Sequence, residues 1–331
     1  MRVIIGLLAL LASLPGYADN KFKVVVLGCG GGPQESNLSS YLLAPKESNA
    51  FIALDAGTLF DGITLAIEKN SFLDIPGDPN TNSTQEEVIL RDHIKAYLIS
   101  HAHLDHVAGL VLNSPYDRAK PIFGIASTID YIRDYLFNGK IWPNFGSEGK
   151  KPRFNLYQYE RLKPAQKKLI PSTEMSVEAF LLSHPDGYPS TAFLLTSRDA
   201  HILYCGDTSP DALEKKKHLQ TLWRKIAPLI RDNKLSAIFL ECSYPNRQPA
   251  DHLYGHLEPK FMMEEFHTLA RLVDPVNPLI SLKNVKVVVT HIKNSPVQGP
   301  SAATLIRQEL ENLNDLSIPF IFPEQGQRLE L

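Results

Sequence analysis

The stretch Ile94-Lys95-Ala96-Tyr97-Leu98-Ile99-Ser100-His101-Ala102-His103-Leu104-Asp105-His106 decides the reading of this chain. Its first half is an apolar run of strand type, and its second half places four potential metal ligands within six residues. Neutral imidazoles and a carboxylate suit zinc and other borderline divalent cations, and such groups gathered without a cation would leave one another unpaired. In an extended segment residues 101 and 103 leave the same side, and a turn after Leu104 aims Asp105 and His106 at a second ion. Histidines on a zinc-binding helix stand four apart, so this is a different device, half of a two-metal hydrolytic site.

A second metal needs further ligands, and lone polar residues recur at the ends of other apolar strands. His184 follows Ala179–Ser183, Asp207 follows His201–Gly206, and His291 follows Val285–Thr290. Ligands at strand ends converge where a sheet stops and its loops begin, which is where α/β proteins place their sites.

The order His101, His103, Asp105, His106, His184, Asp207, His291 is similar to that of the metallo-β-lactamase superfamily. More narrowly, HAHLDHVAGLVLNSP, His101 to Pro115, resembles the signature of class II cyclic-nucleotide phosphodiesterases, including Leu104, Gly109, Ser114 and Pro115. A second region, LGCGGGPQESNLSSYLL from Leu27 to Leu43, resembles that family's first strand, glycine turn and second strand. The resemblance implies a four-layer αβ/βα sandwich in one hydrolase domain, residues 19–331. It implies His101, His103 and His184 on a first ion, Asp105, His106 and His291 on a second, and Asp207 bridging. It also implies 3',5'-cyclic nucleotide hydrolysis to the 5'-monophosphate, with Asp105 orienting the attacking hydroxide and a free histidine protonating the leaving 3' oxygen. His256, ahead of a helix, occupies a place comparable to that of the donor in related phosphodiesterases, and His252 competes with it. The expected cofactors are two divalent ions, zinc fitting best, with iron or manganese open.

The same platform serves lactonases, thioesterases and β-lactamase-like amidases. The extended signature favours a phosphodiester, as does Asp207, where many β-lactamases carry cysteine. A non-catalytic phosphate-binding module would need a missing ligand, and all seven positions are filled. A transfer-RNA-processing nuclease shares much of the pattern but is disfavoured by the export signal and by charge. The chain has 331 residues, 44% hydrophobic and 21% charged, with a formal charge of -2, and so offers no field for holding a long nucleic acid. The cluster Lys215-Lys216-Lys217 reads as a solvated helix face.

At the start, Arg2, the apolar Val3–Ala12, Pro15 and the small residues to Ala18 form a secretory signal pattern. Cleavage after Ala18 is expected, with a periplasmic destination in a Gram-negative host and full secretion as the alternative. No later stretch reaches the roughly 20 apolar residues of a membrane span. The three cysteines have no metal-knuckle or redox spacing, and Cys205 reads as an apolar filler.

Strands are expected at 23–27, 39–43, 51–54 and 237–240, and at 318–322 as an edge interrupted by Pro319. Helices are expected at 61–69, 127–137, 223–232 and 257–273, a polar loop at 74–87, and a tight glycine turn near the site at 28–33. Tyr188, Tyr244 and Tyr254 are candidates for stacking on a base, while Asn37, Ser39 and Ser40 have ligand and turn readings of equal weight. His93, His201, His218 and His267 read as surface or packing residues. Base preference and oligomeric state stay open.

Overall fold

All seven residues of the first strand, β1 (Phe22–Gly28), are buried, which marks a strand covered on both faces. Its alternation sorts the layers. Phe22, Val24 and Val26 enter a core shared with Ala237, Phe239 and Val288. Val25 and Leu27 point the other way, into a layer with Ile63, Val107 and Leu110. The computed structural model describes residues 21–78, 82–294 and 298–331. The expected signal peptide lies outside the described residues.

The strands that follow are β2 (Ser40–Pro45), β3 (Phe51–Leu54), β4 (Ile94–Leu98), β5 (Lys120–Ile125), β6 (Asn144–Gly146), β7 (Arg153–Leu162) and β8 (Lys168–Leu169). The rest are β9 (Met175–Ser183), β10 (Pro189–Ser197), β11 (Ala200–Cys205), β12 (Leu235–Glu241), β13 (Lys286–Thr290), β14 (Phe320–Ile321) and β15 (Arg328–Glu330). They form two sheets, in the orders β15-β1-β2-β3-β4-β5-β7-β6 and β14-β13-β12-β11-β10-β9-β8. The chain builds nearly all of the first sheet, then the second, and returns through β15 to pair antiparallel with β1.

Helices cover the outer faces: α1 (Phe60–Glu68), the short α2 (Gln85–Val88), α3 (Leu104–Asn113) and α4 (Ala126–Tyr131) on the first sheet, α5 (His218–Arg231), α6 (Pro259–Val273) and α7 (Ala302–Leu313) on the second. Helix α5 buries Leu219, Leu222, Trp223, Ile226 and Ile230, a stripe at helical spacing. Each such large apolar side chain contributes about 1.5–3 kcal/mol by leaving water. The Trp223 indole N–H donates to Glu265 Oε2 of α6 at 2.9 Å, so the buried donor is satisfied. Three apolar layers thus separate four structural ones, the sandwich expected from the sequence. No helix of the described residues is long and apolar enough to cross a membrane.

Several local expectations shift. Lys215–Lys217 precede α5, so they form a solvated approach and not a helix face. The helix expected at 127–137 is α4 followed by a wider π-helical turn, Ile132–Leu136. The helix expected from Leu257 starts at Pro259, whose missing N–H is harmless in a first turn. The polar loop 74–87 ends in α2, capped by Thr84, whose hydroxyl oxygen accepts from the Glu87 N–H. Strands β5 and β7 went unread: Pro121 and Gly124 interrupt the first, and the second is largely polar, with only three of its ten residues buried. The edge strand β14 forms where expected, and the Pro319 carbonyl before it accepts from the Val287 N–H at 3.0 Å.

A candidate dinuclear metal site

The site lies where strands of both sheets end. Beyond β4 the chain leaves the sheet, and α3 begins at Leu104 with His103, itself extended, as its N-cap residue. The turn therefore begins after His103, one residue earlier than the sequence suggested. The first helical turn carries Asp105 and His106, and the positive end of the helix favours the Asp105 carboxylate. His184 follows β9, Asp207 follows β11 by two residues, and His291 directly follows β13.

All seven sequence-predicted ligands come together, in two groups that share Asp207. His101, His103, His184 and Asp207 form one, and Asp105, His106, Asp207 and His291 the other, with the ligand atoms of each within 4.8 Å of one another. In the first, His103 Nδ1 stands 3.1 Å from His101 Nε2 and 3.3 Å from His184 Nε2. In the second, His291 Nε2 stands 3.1 Å from Asp105 Oδ2 and 3.3 Å from Asp207 Oδ2. His106 Nε2 is 3.3 Å from Asp207 Oδ1.

The outward ring nitrogens are fixed by groups the sequence reading did not single out. His106 Nδ1 donates to Asp55 Oδ2 at 2.8 Å. Asp55 is fully buried and also accepts from the Ser100 N–H, the Ser100 hydroxyl and the Tyr204 hydroxyl. With its hydrogen committed to Asp55, Ser100 Oγ accepts from His101 Nδ1 at 3.0 Å. His184 Nδ1 donates to the Gly255 carbonyl at 3.0 Å, and His291 Nδ1 to Ser243 Oγ at 3.0 Å, which passes its own hydrogen to Glu241 Oε2. Each partner can only accept at that contact, so each tautomer leaves Nε2 bare and facing inward. Asp55 and Glu241 both obey the rule that found Asp207, an acidic residue closing an apolar strand, in Phe51–Asp55 and Ile238–Glu241.

Backbone geometry adds to this. Asp55 and His291 both adopt left-handed φ, 53° and 57°, conformations that non-glycine residues hold only where surroundings impose them. Gly255 has φ of 80°, and a Cβ there would sit 2.0 Å from Pro185 Cδ, so only glycine brings its carbonyl to His184. The glycine turn lies at the site as expected, since a Cβ on Gly31 would meet the His291 ring at 2.5 Å. Asn37, Ser39 and Ser40 serve that turn and its neighbouring strand, with Asn37 Oδ1 accepting from the Cys29 N–H at 3.0 Å.

The electrostatics ask for a cation. Burial pushes His184 down to about 4 and also lowers His101, His103 and His291, keeping them neutral as ligands must be. Burial likewise opposes a charge on His106, but Asp207, Asp55 and Asp105 together raise its pKa well above the usual histidine value. Burial opposes a charge on Asp207 as well, yet with His291, His106 and His101 packed around it its pKa lies well below the usual carboxylate value. His106 Nε2 has no hydrogen-bond partner although buried. An orphaned nitrogen beside anionic carboxylates fits a metal ion, and two N/O donor groups that share one carboxylate fit two.

His256 is buried, and its Nδ1 donates to Glu241 Oε1 at 2.8 Å while lying 3.8 Å from Asp207 Oδ2. Burial disfavours its charged form, yet Glu241 raises its pKa. His252 is exposed and stacks on Tyr254, outside the cluster. Cys205 packs in the apolar layer under α5 and α6, a filler as expected, and burial raises its thiol pKa far above the ordinary range. His93, His201 and His267 bond elsewhere, to Asn49, Thr196 and Asp315.

Fold and site together define the class, a metallo-β-lactamase-fold protein with a dinuclear donor set. A metallo-β-lactamase-fold protein from Bacillus subtilis superposes with a TM-score of 0.59 at 15% identity, covering 94% of this chain and 99% of that one, which speaks for the fold alone. A family model of class II cAMP phosphodiesterases matches residues 21–326, and the chain belongs to that family. It is 39% identical to a 3',5'-cyclic-nucleotide phosphodiesterase of Aliivibrio fischeri, over 94% of this chain and 93% of that protein. It is 40% identical to a probable 3',5'-cyclic-nucleotide phosphodiesterase of Yersinia pestis, over 92% and 88%. The crystal structure of unliganded yeast PDE1 superposes with a TM-score of 0.78 at 25% identity, covering 94% of this chain and all of that one.

Proposed function

We propose that the protein hydrolyses 3',5'-cyclic nucleotides to nucleoside 5'-monophosphates at a centre holding two divalent ions. The observation that carries this is the pair of ligand groups sharing Asp207, with His256 beside them and supported by its own carboxylate. Family membership and the named activities of the relatives support the substrate class. His101, His103, His184 and Asp207 would hold one ion, and Asp105, His106, His291 and Asp207 the other, zinc being the ion that suits the donors best. Bound there, two ions would activate water and neutralise charge building on the phosphoryl oxygens.

The chain's own residues do the rest. Asp105 orients the attacking water in line with the bond to the 3' oxygen. His256, its Nδ1–H committed to Glu241, presents Nε2 to the substrate and protonates the departing 3' oxygen, an alkoxide that needs a proton far more than a phenolate would. The test is to incubate the zinc-loaded protein with 3',5'-cyclic AMP and separate the products. The account expects 5'-AMP, and formation of 3'-AMP or no turnover counts against it.

We also propose export to the periplasm with cleavage after Ala18, on the strength of the N-terminal pattern. Periplasmic protein whose first residue is Asp19 is the expected result, and an intact Met1 contradicts it.

A further inference from the structure

Lys293 has no part in the steps above. Its Nζ donates to the Gly31 carbonyl at 2.8 Å and lies 3.6 Å from Asp105 Oδ2, and its backbone N–H donates to the Ser243 carbonyl at 3.0 Å. Among the described residues it is the one lysine or arginine within 4.0 Å of Asp55, Asp105, Asp207 or Glu241. An ammonium has three donors. Gly31 takes one, Asp105 stands beyond hydrogen-bond distance, and 23% of the side chain is open to solvent.

What the open side faces is informative. Lys293 lines a cleft of about 250 Å³ with Tyr244, Arg247, Gln248 and Asn294, room for one small ligand and not for a polymer. Tyr244 forms the wall towards the centre, its ring 5.9 Å from that of His256. The other tyrosine candidates stand elsewhere. Tyr188 stacks on His103 at 4.4 Å and on Tyr131 at 5.5 Å, lining a separate cleft on the side of the first ligand group, and Tyr254 stacks on His252. Charge points the same way: two divalent ions would balance the four carboxylates Asp55, Asp105, Asp207 and Glu241, leaving Lys293 as positive charge for an incoming monoanionic phosphodiester.

We infer that Lys293 grips the phosphate of the nucleotide and that the cleft between Lys293 and Tyr244 receives its nucleoside, with Tyr244 as the stacking surface. The inference rests on the phosphodiesterase reading for its substrate class. It is tested by calorimetric binding of inorganic phosphate, adenosine and 5'-AMP to the zinc-loaded protein, with bound zinc counted in every variant.

Lys293→Met is expected to weaken phosphate and 5'-AMP by about ten- to a hundredfold, with adenosine and zinc content unchanged and Lys293→Arg restoring part of the loss. Tyr244→Ala is expected to weaken adenosine and 5'-AMP by about tenfold but not phosphate. The inference is overturned if Lys293→Met leaves phosphate binding intact, if its effect follows loss of zinc, or if wild-type protein binds none of the three. Wild-type protein that shows the predicted binding pattern without hydrolysing cyclic AMP instead counts against the activity and leaves the subsite standing.

Discussion

At His106 a buried imidazole bonds Asp55 through one nitrogen and nothing through the other. The Asp55 contact fixes the ring so that the bare nitrogen meets Asp207, and an outer carboxylate of this kind typically tunes metal affinity by 10–100-fold. Asp55→Asn is therefore expected to weaken binding of the ion at Asp105, His106 and His291 by about that factor, read by chelator competition; unchanged affinity contradicts the assignment. His256→Ala is expected to slow cyclic AMP hydrolysis by about a hundredfold and hydrolysis of a nitrophenyl phosphodiester far less, because nitrophenolate leaves without a proton. Equal losses on both substrates would make His256 structural. The seven candidate ligands were legible because four lie within one short loop and three more end apolar strands in a family order. Asp55, Glu241 and Lys293 were not, since a single acidic residue at a strand end or a lysine in a loop has many ordinary explanations, and only the fold brings them to the site.

Strand ends deliver most of those residues and helix α3 delivers Asp105 and His106, while turns beyond the strands carry left-handed backbone at Asp55, Gly255 and His291. Gly255 couples two of them: its carbonyl fixes His184, and its backbone passes against Pro185 too closely for any side chain. Gly255→Ala is expected to cost about 1–3 kcal/mol and to weaken the ion held by His184. A thermal melt and metal count equal to wild type would show that the turn accommodates a methyl group. At this scale the sequence was readable where burial is on both faces, as in β1 and β12, because uninterrupted apolar runs have few alternatives. It was unreadable in β5 and β7, where pairing within the sheet overrides a weak local pattern. It also missed the break between α4 and the π-helical turn, which no composition signal marks.

For the whole molecule, candidate ligands drawn from both sheets would couple metal binding to folding. His101, His103, Asp105 and His106 come from the first sheet's side, and His184, Asp207 and His291 from the second. Ions bound between them favour only the folded arrangement, adding about 2.7 kcal/mol when free metal is a hundredfold above its dissociation constant. Chelation should thus lower the melting temperature and metal should restore it; a melt indifferent to chelator would separate the site from the fold. The sandwich itself followed from family likeness more than from strand counting, since short strands such as β6, β8 and β15 carry too few residues to announce themselves.

The central claim is that two ions, not one, carry out phosphodiester hydrolysis here. Metal-free protein titrated with zinc, with 3',5'-cyclic AMP turnover followed after each addition, tests it directly. The account predicts no turnover at the start and a plateau at about two equivalents per chain. Full activity at one equivalent, or turnover without metal, would contradict it.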